Sequence, residues 1–408
     1  MERQAKLAIL ERLVGFKTTG GNELAAAQYL QSLLAEHGIT SELQELGNHQ
    51  ANLIAEIGTG QQPVFTVSGH LDTVAVDEAE WDTDPFELVQ KDGQFYGSGV
   101  TDMKGGVAAL VIAMIDLHDH QVPLQGTLRL VLTAGEEADM HGSRKLHADG
   151  SMRDSSALLI AEPTGYRTVY ANKGEVDFVV TSLGKAAHSS RPNFGINAIQ
   201  NLMDFLEAVK TKIEQTSAAN PDSVLGKTTF TVDLFRGGIQ INAIPSKAEA
   251  QINTRIVPEY DNEAVIADFK AVLADFNAHH EGEIQVNLLM NIPPVVANPD
   301  SRLIHEIVKI ATPYMQQMHY SAEEQQQGAE MLAKQGFNPF STDQLEVLSA
   351  AGGTDASELL RDELQGANYA VFGPGNPLKM HQTNESASVQ MWFDFIEIYE
   401  KLFAQYLN

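Results

Sequence analysis

The chain has 408 residues, 43% of them hydrophobic, and a formal net charge of -27 at pH 7. This length favours two domains, and the acidity excludes a broad nucleic-acid surface, because such surfaces cluster Lys and Arg. The absence of cysteine excludes disulfides, thiolate nucleophiles and cysteine-ligated zinc. Any metal site must therefore use imidazole and carboxylate ligands.

The sequence pattern predicts neither a membrane span nor an export signal. No stretch approaches the roughly 18 uncharged apolar residues expected of a membrane span. The first residues, MERQAKLAILERLVGF, alternate charged and apolar side chains at helical spacing and lack the apolar segment and cleavage site of a signal peptide. We therefore expect a cytoplasmic protein that binds neither membranes nor nucleic acid.

The first part of the chain alternates helical and strand patterns. The spacing predicts helices near residues 24–37 and 105–117, and strands at 64–67, 127–133 and 157–161. Such alternation is typical of an α/β domain with a largely parallel sheet.

The pattern changes from about residue 177. The predicted order there is strand 177–183, helix 195–216, strand 228–235, strand 248–256, helix 261–279 and strand 284–290. This βαββαβ order is the ferredoxin-like unit.

After residue 293 the helical pattern resumes, and a long amphipathic helix is predicted at 386–407. We therefore predict an α/β catalytic domain, residues 1–175 and 293–408, with a mostly parallel mixed sheet flanked by helices. An inserted ferredoxin-like domain, residues 176–292, interrupts it. The Gln-rich segment 321–349 is interpreted as a solvated helical or loop excursion without an assigned function.

The stretch VFTVSGHLDTV, residues 64–74, places a histidine and an aspartate at the end of an apolar run. Gly69 lets the chain leave the strand, so His70 and Asp72 are expected just beyond its carboxyl end. Side chains two apart in extended chain point the same way, so Asp72 can contact the His70 imidazole and fix its tautomer, as in metal-bound histidines. The alternative is a capped turn with an incidental histidine.

Further carboxylates and a histidine follow other predicted elements. Asp102, in GVTDMKGG, has the position of a helix cap. Glu136 and Glu137, after LRLVLTAG, can divide labour between metal binding and proton transfer, or form an exposed acidic turn. Glu162 ends the apolar strand of ALLIAEPTG, and His381 lies in a Gly- and Pro-rich loop.

Taken together, these residues predict one site. In open α/β sheets the ligand crevice lies beyond the carboxyl ends of the strands, where four of the candidates fall. Two histidines and three carboxylates, one of them shared, suit two divalent ions roughly 3.5–4 Å apart. The sequence lacks the G-x-S-x-G, P-loop, H-E-x-x-H and complete dinucleotide-binding motifs.

The motifs SGHLDTV, WDTDPFELVQKDGQFYGSGVTDMKGG, TAGEE and AEPTG and the distal histidine resemble the zinc-dependent amidohydrolase and peptidase family. That family includes acetylornithine deacetylase, succinyl-diaminopimelate desuccinylase, aminoacylase and carboxypeptidase G. The resemblance covers nearly the whole chain and keeps the motif order.

The resemblance implies a role for each candidate. It implies two divalent ions, Zn²⁺ with Co²⁺ or Mn²⁺ as alternatives, and Asp102 as the ligand that bridges them. The remaining ligands would be His70 and Glu162 at one ion and Glu137 and His381 at the other. It also implies that Glu136 is the general base and that Asp72 orients His70.

The resemblance extends to the inserted domain, which in the family serves as a lid and dimerisation domain. GKAAHSSRP implies that His188 reaches across a homodimer to stabilise the oxyanion. FRGGIQINAIPSKAEAQINTRIVPE implies substrate binding by Asn242 and Arg255, and an arginine suits bidentate recognition of a carboxylate.

The prediction of the substrate depends on a position where the sequence departs from the family pattern. GGTDASELL, residues 352–360, falls where desuccinylases carry Gly-Gly-Thr-Ser, so Gly353 and Thr354 are expected to bind substrate. Asp355 replaces the serine and would oppose an anionic acyl group unless a cation intervenes. Lys173 is the candidate cation, or else a solvated lysine at a strand end.

We expect a di-zinc amidohydrolase that hydrolyses the amide of a small anionic N-acyl amino acid, most similar to a succinyl-diaminopimelate desuccinylase. The alternatives are an acetylornithine deacetylase, or a dipeptidase or carboxypeptidase with the same metal ligands. A non-catalytic metal-binding protein is disfavoured because binding metal requires neither Glu136 nor His188.

Overall fold

The computed structural model describes residues 1–335 and 338–408. Packing divides the chain into two units, each with its own apolar core. The first unit comprises Met1–Tyr170, Val296–Leu348 and Thr354–Asn408, and the second comprises Ala171–Val295 and Ser349–Gly353. The chain passes from the first unit to the second at residues 170–171 and returns at residues 295–296, whereas the predicted boundaries lie at 175–176 and 292–293. Residues 349–353, predicted in the catalytic domain, group with the second unit.

Up to residue 172 the chain alternates helices and strands, as predicted. The elements are α1 (Arg3–Val14), α2 (Leu24–Glu36), β1 (Ser41–Gly47), β2 (Gln50–Gly58), β3 (Val64–His70), β4 (Val89–Lys91), β5 (Gln94–Tyr96), α3 (Lys104–Asp119), β6 (Thr127–Thr133), α4 (His141–Ala148), β7 (Ser155–Pro163) and β8 (Thr168–Asn172). His70 is the last residue of β3 rather than the residue beyond it, and Glu162 lies within β7.

The longer elements of the second unit follow the predicted βαββαβ order, with two additional two-residue strands. Its elements are β9 (Gly174–Leu183), β10 (Ala187–His188), α5 (Ala198–Ala219), β11 (Thr229–Gly237), β12 (Ala243–Ile244), β13 (Lys247–Ile256), α6 (Asn262–His279) and β14 (Glu283–Ile292). The long strands form an antiparallel sheet in the order β11-β13-β9-β14, and β10 pairs with β12. Helix α5 begins three residues later than predicted, because the Asn197 side chain accepts hydrogen bonds from the first backbone N–H groups.

The chain then completes the first unit. Its remaining elements are β15 (Val295–Val296), α7 (Arg302–Met315), α8 (Ala322–Gln335), β16 (Val347–Ala350), α9 (Ala356–Leu359), β17 (Tyr369–Gly373), β18 (Ser386–Ser388) and α10 (Val389–Tyr406). The predicted helical start at Ser386 is wrong, because residues 386–388 pair with β5 and Ser388 caps α10. The predicted excursion 321–349 contains α8, and residues 336 and 337 of it lie outside the described residues.

The central sheet follows the order β1-β2-β6-β3-β7-β17-β8-β15, with β16 beside β8. Strand β3 runs parallel to β6 and β7, and β17 runs parallel to β7. Every residue of β3 and β6 is buried, which explains their continuous apolar sequences, since parallel strands are covered on both faces. The α/β fold class is confirmed.

Helix α3 lies inside the first unit. Its residues from Lys104 to Leu117 are buried, in agreement with a sequence that is apolar on all sides. The Trp392 side chain of α10 packs there and donates to the Gly105 carbonyl at 2.9 Å. Among the described helices, none is long and apolar enough to cross a membrane.

Gly106 sets how closely α3 approaches β7. A Cβ atom at this position would lie 2.3 Å from the backbone oxygen of Ala161, next to Glu162. Because backbone cannot move aside as a flexible side chain can, the contact requires glycine. The approach fixes the start of α3 against the end of β7.

We expect Gly106→Ala to destabilise the protein by about 2 kcal/mol or more, because it overpacks the junction of α3 and β7. The sign of the change in the free energy of unfolding tests the argument, since an unhindered helical Gly→Ala change stabilises a protein by about 1 kcal/mol. Chemical denaturation measures the difference. Gly352→Ala is the control, because nothing lies within 4 Å of its added Cβ. Equal or greater stability of Gly106→Ala would contradict the packing argument.

Candidate active site

His70 and the turn after β6 are brought together by strand register. His70 pairs with Thr133 in the parallel ladder of β3 and β6, so the residues after both strands emerge at one edge of the sheet. The His70 Nδ1 atom lies 3.0 Å from the Asp72 backbone oxygen, to which it donates. In the neutral ring, this bond leaves the Nε2 lone pair facing the site, the orientation that a metal ligand needs.

The Asp72 carboxylate organises the turn more than it contacts His70. Its Oδ1 lies 3.5 Å from His70 Nδ1, farther than the backbone oxygen. The same carboxylate accepts the backbone N–H groups of Gly135, Glu136 and Glu137 at 3.1, 3.2 and 2.9 Å. Gly135 has φ +77°, a left-handed conformation that favours glycine and points successive N–H groups at one anion.

Two side-chain groups meet at Asp102. On one side, His70 Nε2 lies 3.1 Å from Asp102 Oδ1 and 3.3 Å from Glu162 Oε1. On the other, His381 Nε2 lies 3.1 Å from Asp102 Oδ2 and 3.0 Å from Glu137 Oε1. Each oxygen of Asp102 therefore faces a different imidazole. Asp102 does not cap α3, whose N-cap residue is Met103.

His381 is held in an uncommon backbone conformation. Its φ is +57°, in the left-handed region where residues other than glycine are infrequent. Such residues cluster at functional sites, where surrounding contacts maintain the strain. The conformation directs His381 towards Asp102 and Glu137.

Burial and negative charge shift the pKa values of the site. Burial, followed by the Asp102 charge, raises the pKa of Glu162 to about 8. Burial alone would lower the pKa of His70, but the Glu162 charge and the hydrogen bonds that Asp102 and Asp72 accept from the ring raise it well above its usual range. Hydrogen bonds that the His381 ring donates to Asp102 and then to Glu137 raise its pKa to about 10. The potential that holds protons on these groups also favours cations.

Glu136 is half-buried beside both groups. Burial, which outweighs the opposing His70 charge, raises its pKa well above the usual range, with Glu162, Asp355 and Glu137 adding to the shift. One ligand atom each from Glu136, Glu137 and His70 also lies within 4.8 Å of the others. The geometry therefore places Glu136 within reach of the cluster, and its assignment as base instead of ligand stays a prediction.

Glu385 is a buried carboxylate that sequence reasoning missed. It accepts the backbone N–H groups of Gly99, Thr101 and Asp102 at 2.8, 2.7 and 2.8 Å. It thereby ties the loop that carries His381 to the loop that carries Asp102. Burial raises its pKa to about 7 despite these bonds. The only sequence signal was its position four residues after His381.

The side chains suit a pair of divalent ions. Ligand atoms of His70, Asp102 and Glu162 lie within 4.8 Å of one another, as do those of Asp102, Glu137 and His381. The buried Oε2 atom of Glu162 has no hydrogen-bond partner, although buried carboxylate oxygens normally have one. Imidazole and carboxylate ligands suit zinc and related divalent metals. The residues fit the ions that the sequence predicts.

The other predicted substrate residues lie in the second unit, apart from Thr354 in the first. His188 and Asn242 are exposed, Arg255 pairs with Glu175 at 2.5 Å, and Lys173 Nζ donates to the Lys227 carbonyl at 2.5 Å. Gly353 is half-buried in the short segment that groups with this unit. Their roles stay predictions.

Asp355 does not face open solvent. It is 1% exposed, and its Oδ2 accepts a hydrogen bond from the Thr133 hydroxyl. Burial raises its pKa, which favours the neutral form. Thr354 is also buried, with its Oγ1 3.2 Å from the Tyr369 hydroxyl.

The fold and site define an α/β protein with histidines and carboxylates gathered at the carboxyl edge of a mixed sheet. A family profile described as "Peptidase family M20/M25/M40" matches residues 66–405. The chain belongs to this family, which confirms the resemblance inferred from the motifs.

Individual proteins extend the comparison. A Staphylococcus aureus (strain N315) protein named "Probable succinyl-diaminopimelate desuccinylase" is 35% identical over 426 residues, covering 99% of this chain and 98% of that protein. The acetylornithine deacetylase of Proteus mirabilis (strain HI4320) is 30% identical, covering 75% and 79%. The structure of an M20 metallo-carboxypeptidase from Sulfolobus solfataricus has a TM-score of 0.76 at 18% identity, with both chains fully covered. That likeness shows the fold alone.

We expect the protein to bind two divalent ions per chain and Asp102→Asn to lose at least one of them, because Asp102 faces both histidines. Bound ion should also increase the free energy of unfolding, by about 2.7 kcal/mol at a free ion concentration 100-fold above Kd. The melting temperature should rise accordingly. Elemental analysis and thermal melts with Zn²⁺, Co²⁺ and Mn²⁺ measure both effects.

The control is Asp119→Asn. Asp119 pairs with His37 at 2.7 Å on the surface, at the other end of α3, about 24 Å away. The Asp119→Asn variant should keep the full metal content. Unchanged metal content in Asp102→Asn would reject Asp102 as the shared ligand.

Proposed function

We propose that this protein is a metal-dependent hydrolase that cleaves the amide bond of a small anionic N-acyl amino acid. The observation that carries the proposal is Asp102 placed between two groups of imidazole and carboxylate side chains, with Glu136 beside them. That arrangement matches the requirements of two-metal amide hydrolysis.

Two divalent ions would be held by Asp102 in common, with His70 and Glu162 on one side and Glu137 and His381 on the other. Zn²⁺ suits these ligands best, and Co²⁺ or Mn²⁺ can replace it. When bound, such ions polarise a carbonyl group and make water more acidic.

Glu136 would act as the general base. A carboxylate with a raised pKa can accept a proton from the attacking water and return it to the departing amine nitrogen. Its backbone N–H is anchored by Asp72 at 3.2 Å, so the carboxylate projects from a fixed turn. The same side chain serves as base first and as acid afterwards.

His188 would donate to the oxyanion that forms during attack. Its Nδ1 accepts hydrogen bonds from the Ser190 backbone N–H at 3.1 Å and from the Ser190 hydroxyl at 2.8 Å. In the neutral ring the proton then lies on Nε2, which is free to donate. We propose that this histidine acts on the substrate of a second copy, which requires a homodimer.

The acyl group is proposed to be succinyl, with diaminopimelate as the amine. The support is the 35% identity, over nearly the full length of both chains, to proteins named as probable desuccinylases. The objection that Asp355 would repel a succinyl carboxylate is weakened, because its carboxyl group is buried and bonded to Thr133. Acetylornithine is the second candidate substrate, on the strength of the 30% identity to a deacetylase.

We expect the zinc- or cobalt-loaded protein to hydrolyse N-succinyl-diaminopimelate faster than N-acetylornithine or simple dipeptides. Initial rates measured side by side at equal substrate concentration provide the comparison, and protein treated with a chelator is the blank. A preference for N-acetylornithine would replace the proposed acyl group, and a preference for dipeptides would make the enzyme a peptidase. No rate on any amide would reject hydrolysis of these substrates.

We expect Glu136→Gln to retain its metal ions and to lose about a hundredfold or more in kcat, because the amide cannot accept the proton. The matched variant is Glu137→Gln, which changes the neighbouring residue in the same way and should instead lose metal. Elemental analysis combined with kcat measurements separates the two roles. Near-normal turnover of Glu136→Gln would remove it as the base.

A further inference from the structure

A polar cluster lies on the face of the second unit's sheet opposite its helices. In the antiparallel ladder of β9 and β13, Arg255 stands opposite Glu175 and Asn253 stands opposite Asp177. These two cross-strand pairs are two residues apart, so their side chains point to the same face. The strand register therefore places Glu175, Asn253 and Asp177 on the same face of the sheet as Arg255.

Both oxygens of Glu175 are engaged in this cluster. Its Oε2 lies 2.5 Å from Arg255 Nη1, and its Oε1 accepts a hydrogen bond from the Asn253 amide. The Asn253 amide nitrogen also donates to Asp177 Oδ1 at 2.9 Å. Glu175 is therefore held at both ends of its carboxylate and has one orientation.

The contact with Glu175 leaves one edge of the guanidinium open. Among the described residues, no other ion pair or side-chain hydrogen bond of Arg255 is found, so Nε and Nη2 remain available as donors. These two groups form the edge that binds a carboxylate through two parallel hydrogen bonds. The Arg255 side chain is 32% exposed and that of Glu175 is 14% exposed, so the arginine is the more accessible member of the pair.

Because the charges in the cluster partly balance, we infer that the orientation of the N–H donors contributes more to recognition of an anion than net charge does. Glu175 balances the positive charge of Arg255. Asp177 adds a further carboxyl group, whose pKa is raised to about 7 by burial and then by the Glu175 charge. An incoming anion therefore meets an arginine already paired with a carboxylate, with Lys173 near enough that the Arg255 charge, after burial, lowers its pKa. It must be recognised by correctly oriented N–H groups.

We propose that Glu175 is a positioning residue for substrate recognition, which fixes the Arg255 guanidinium so that its Nε–Nη2 edge faces the amino-acid carboxylate of the substrate. This rests on the proposed hydrolysis of N-acyl amino acids. Glu175 thus sets a preference for substrates with a free carboxylate over their neutral analogues, and it acts through Arg255 without touching the substrate.

The test compares an N-acyl amino acid with the same compound carrying a carboxamide in place of its carboxylate. We expect wild-type enzyme to prefer the acid. Glu175→Gln and Glu175→Ala should reduce that preference in kcat/KM, by about tenfold for Glu175→Ala, which corresponds to one charged hydrogen bond. The loss should appear mainly as a higher KM for the acid.

Arg255→Ala supplies the second arm. If Glu175 acts only through Arg255, then Glu175→Ala should add nothing to the loss of preference in an Arg255→Ala background. The control for charge is Glu249→Gln, on the same strand as Arg255 and about 20 Å along it. This control should keep the wild-type preference within about twofold, an allowance for long-range charge effects.

Each result has one meaning. Additive effects of Glu175→Ala and Arg255→Ala would overturn the proposal, as would a higher kcat/KM of Glu175→Gln for the acid, which would make Glu175 a competitor for Arg255. An unchanged preference in Arg255→Ala would also overturn it, while leaving amide hydrolysis intact. Wild-type enzyme without activity on any amide would instead reject the proposed function. Near-UV circular dichroism and metal content of Glu175→Gln verify that the comparison concerns folded protein.

Discussion

The site depends on one carboxylate shared by two imidazoles. Asp102 presents Oδ1 to His70 and Oδ2 to His381, and Glu162 and Glu137 flank these contacts. Bringing so many carboxyl groups together costs free energy, because like charges repel and burial removes their hydration. The cluster is therefore stable only with compensating positive charge. This electrostatic constraint explains why two imidazoles and several backbone N–H groups surround these carboxylates.

The protein meets that constraint with backbone N–H groups as well as with side chains. Asp72 gathers three successive N–H donors of the turn at Gly135, and Glu385 gathers three more around Asp102. Each buried carboxylate is thus paired with donors that carry no net charge. The two loops that supply His381 and Asp102 are consequently fixed to each other, and side chains more than 240 residues apart in sequence converge.

The second unit carries a polar cluster of its own. Its sheet buries one face against α5 and α6, while the other carries Glu175, Asp177, Asn253 and Arg255 in cross-strand register. There a carboxylate and an amide restrict an arginine that is otherwise long and flexible. The carboxylate and imidazole cluster and this polar face thus share one feature, a basic side chain held by neighbouring carboxylates.

Much of the architecture could be predicted from the sequence. Continuous apolar strands and helical spacing of apolar residues specify which faces of the strands and helices are buried. The strand at 127–133 was predicted at its observed bounds, and the motifs identified the histidines and carboxylates that meet at the sheet edge. Only the tertiary structure decided that Asp72 binds backbone N–H groups, that Glu385 anchors Asp102, that Asp355 is buried on Thr133, and that Glu175 holds Arg255. These contacts join residues distant in sequence, and their partners are backbone groups, a hydroxyl group or an oppositely charged side chain, which leave no periodic signal in the chain.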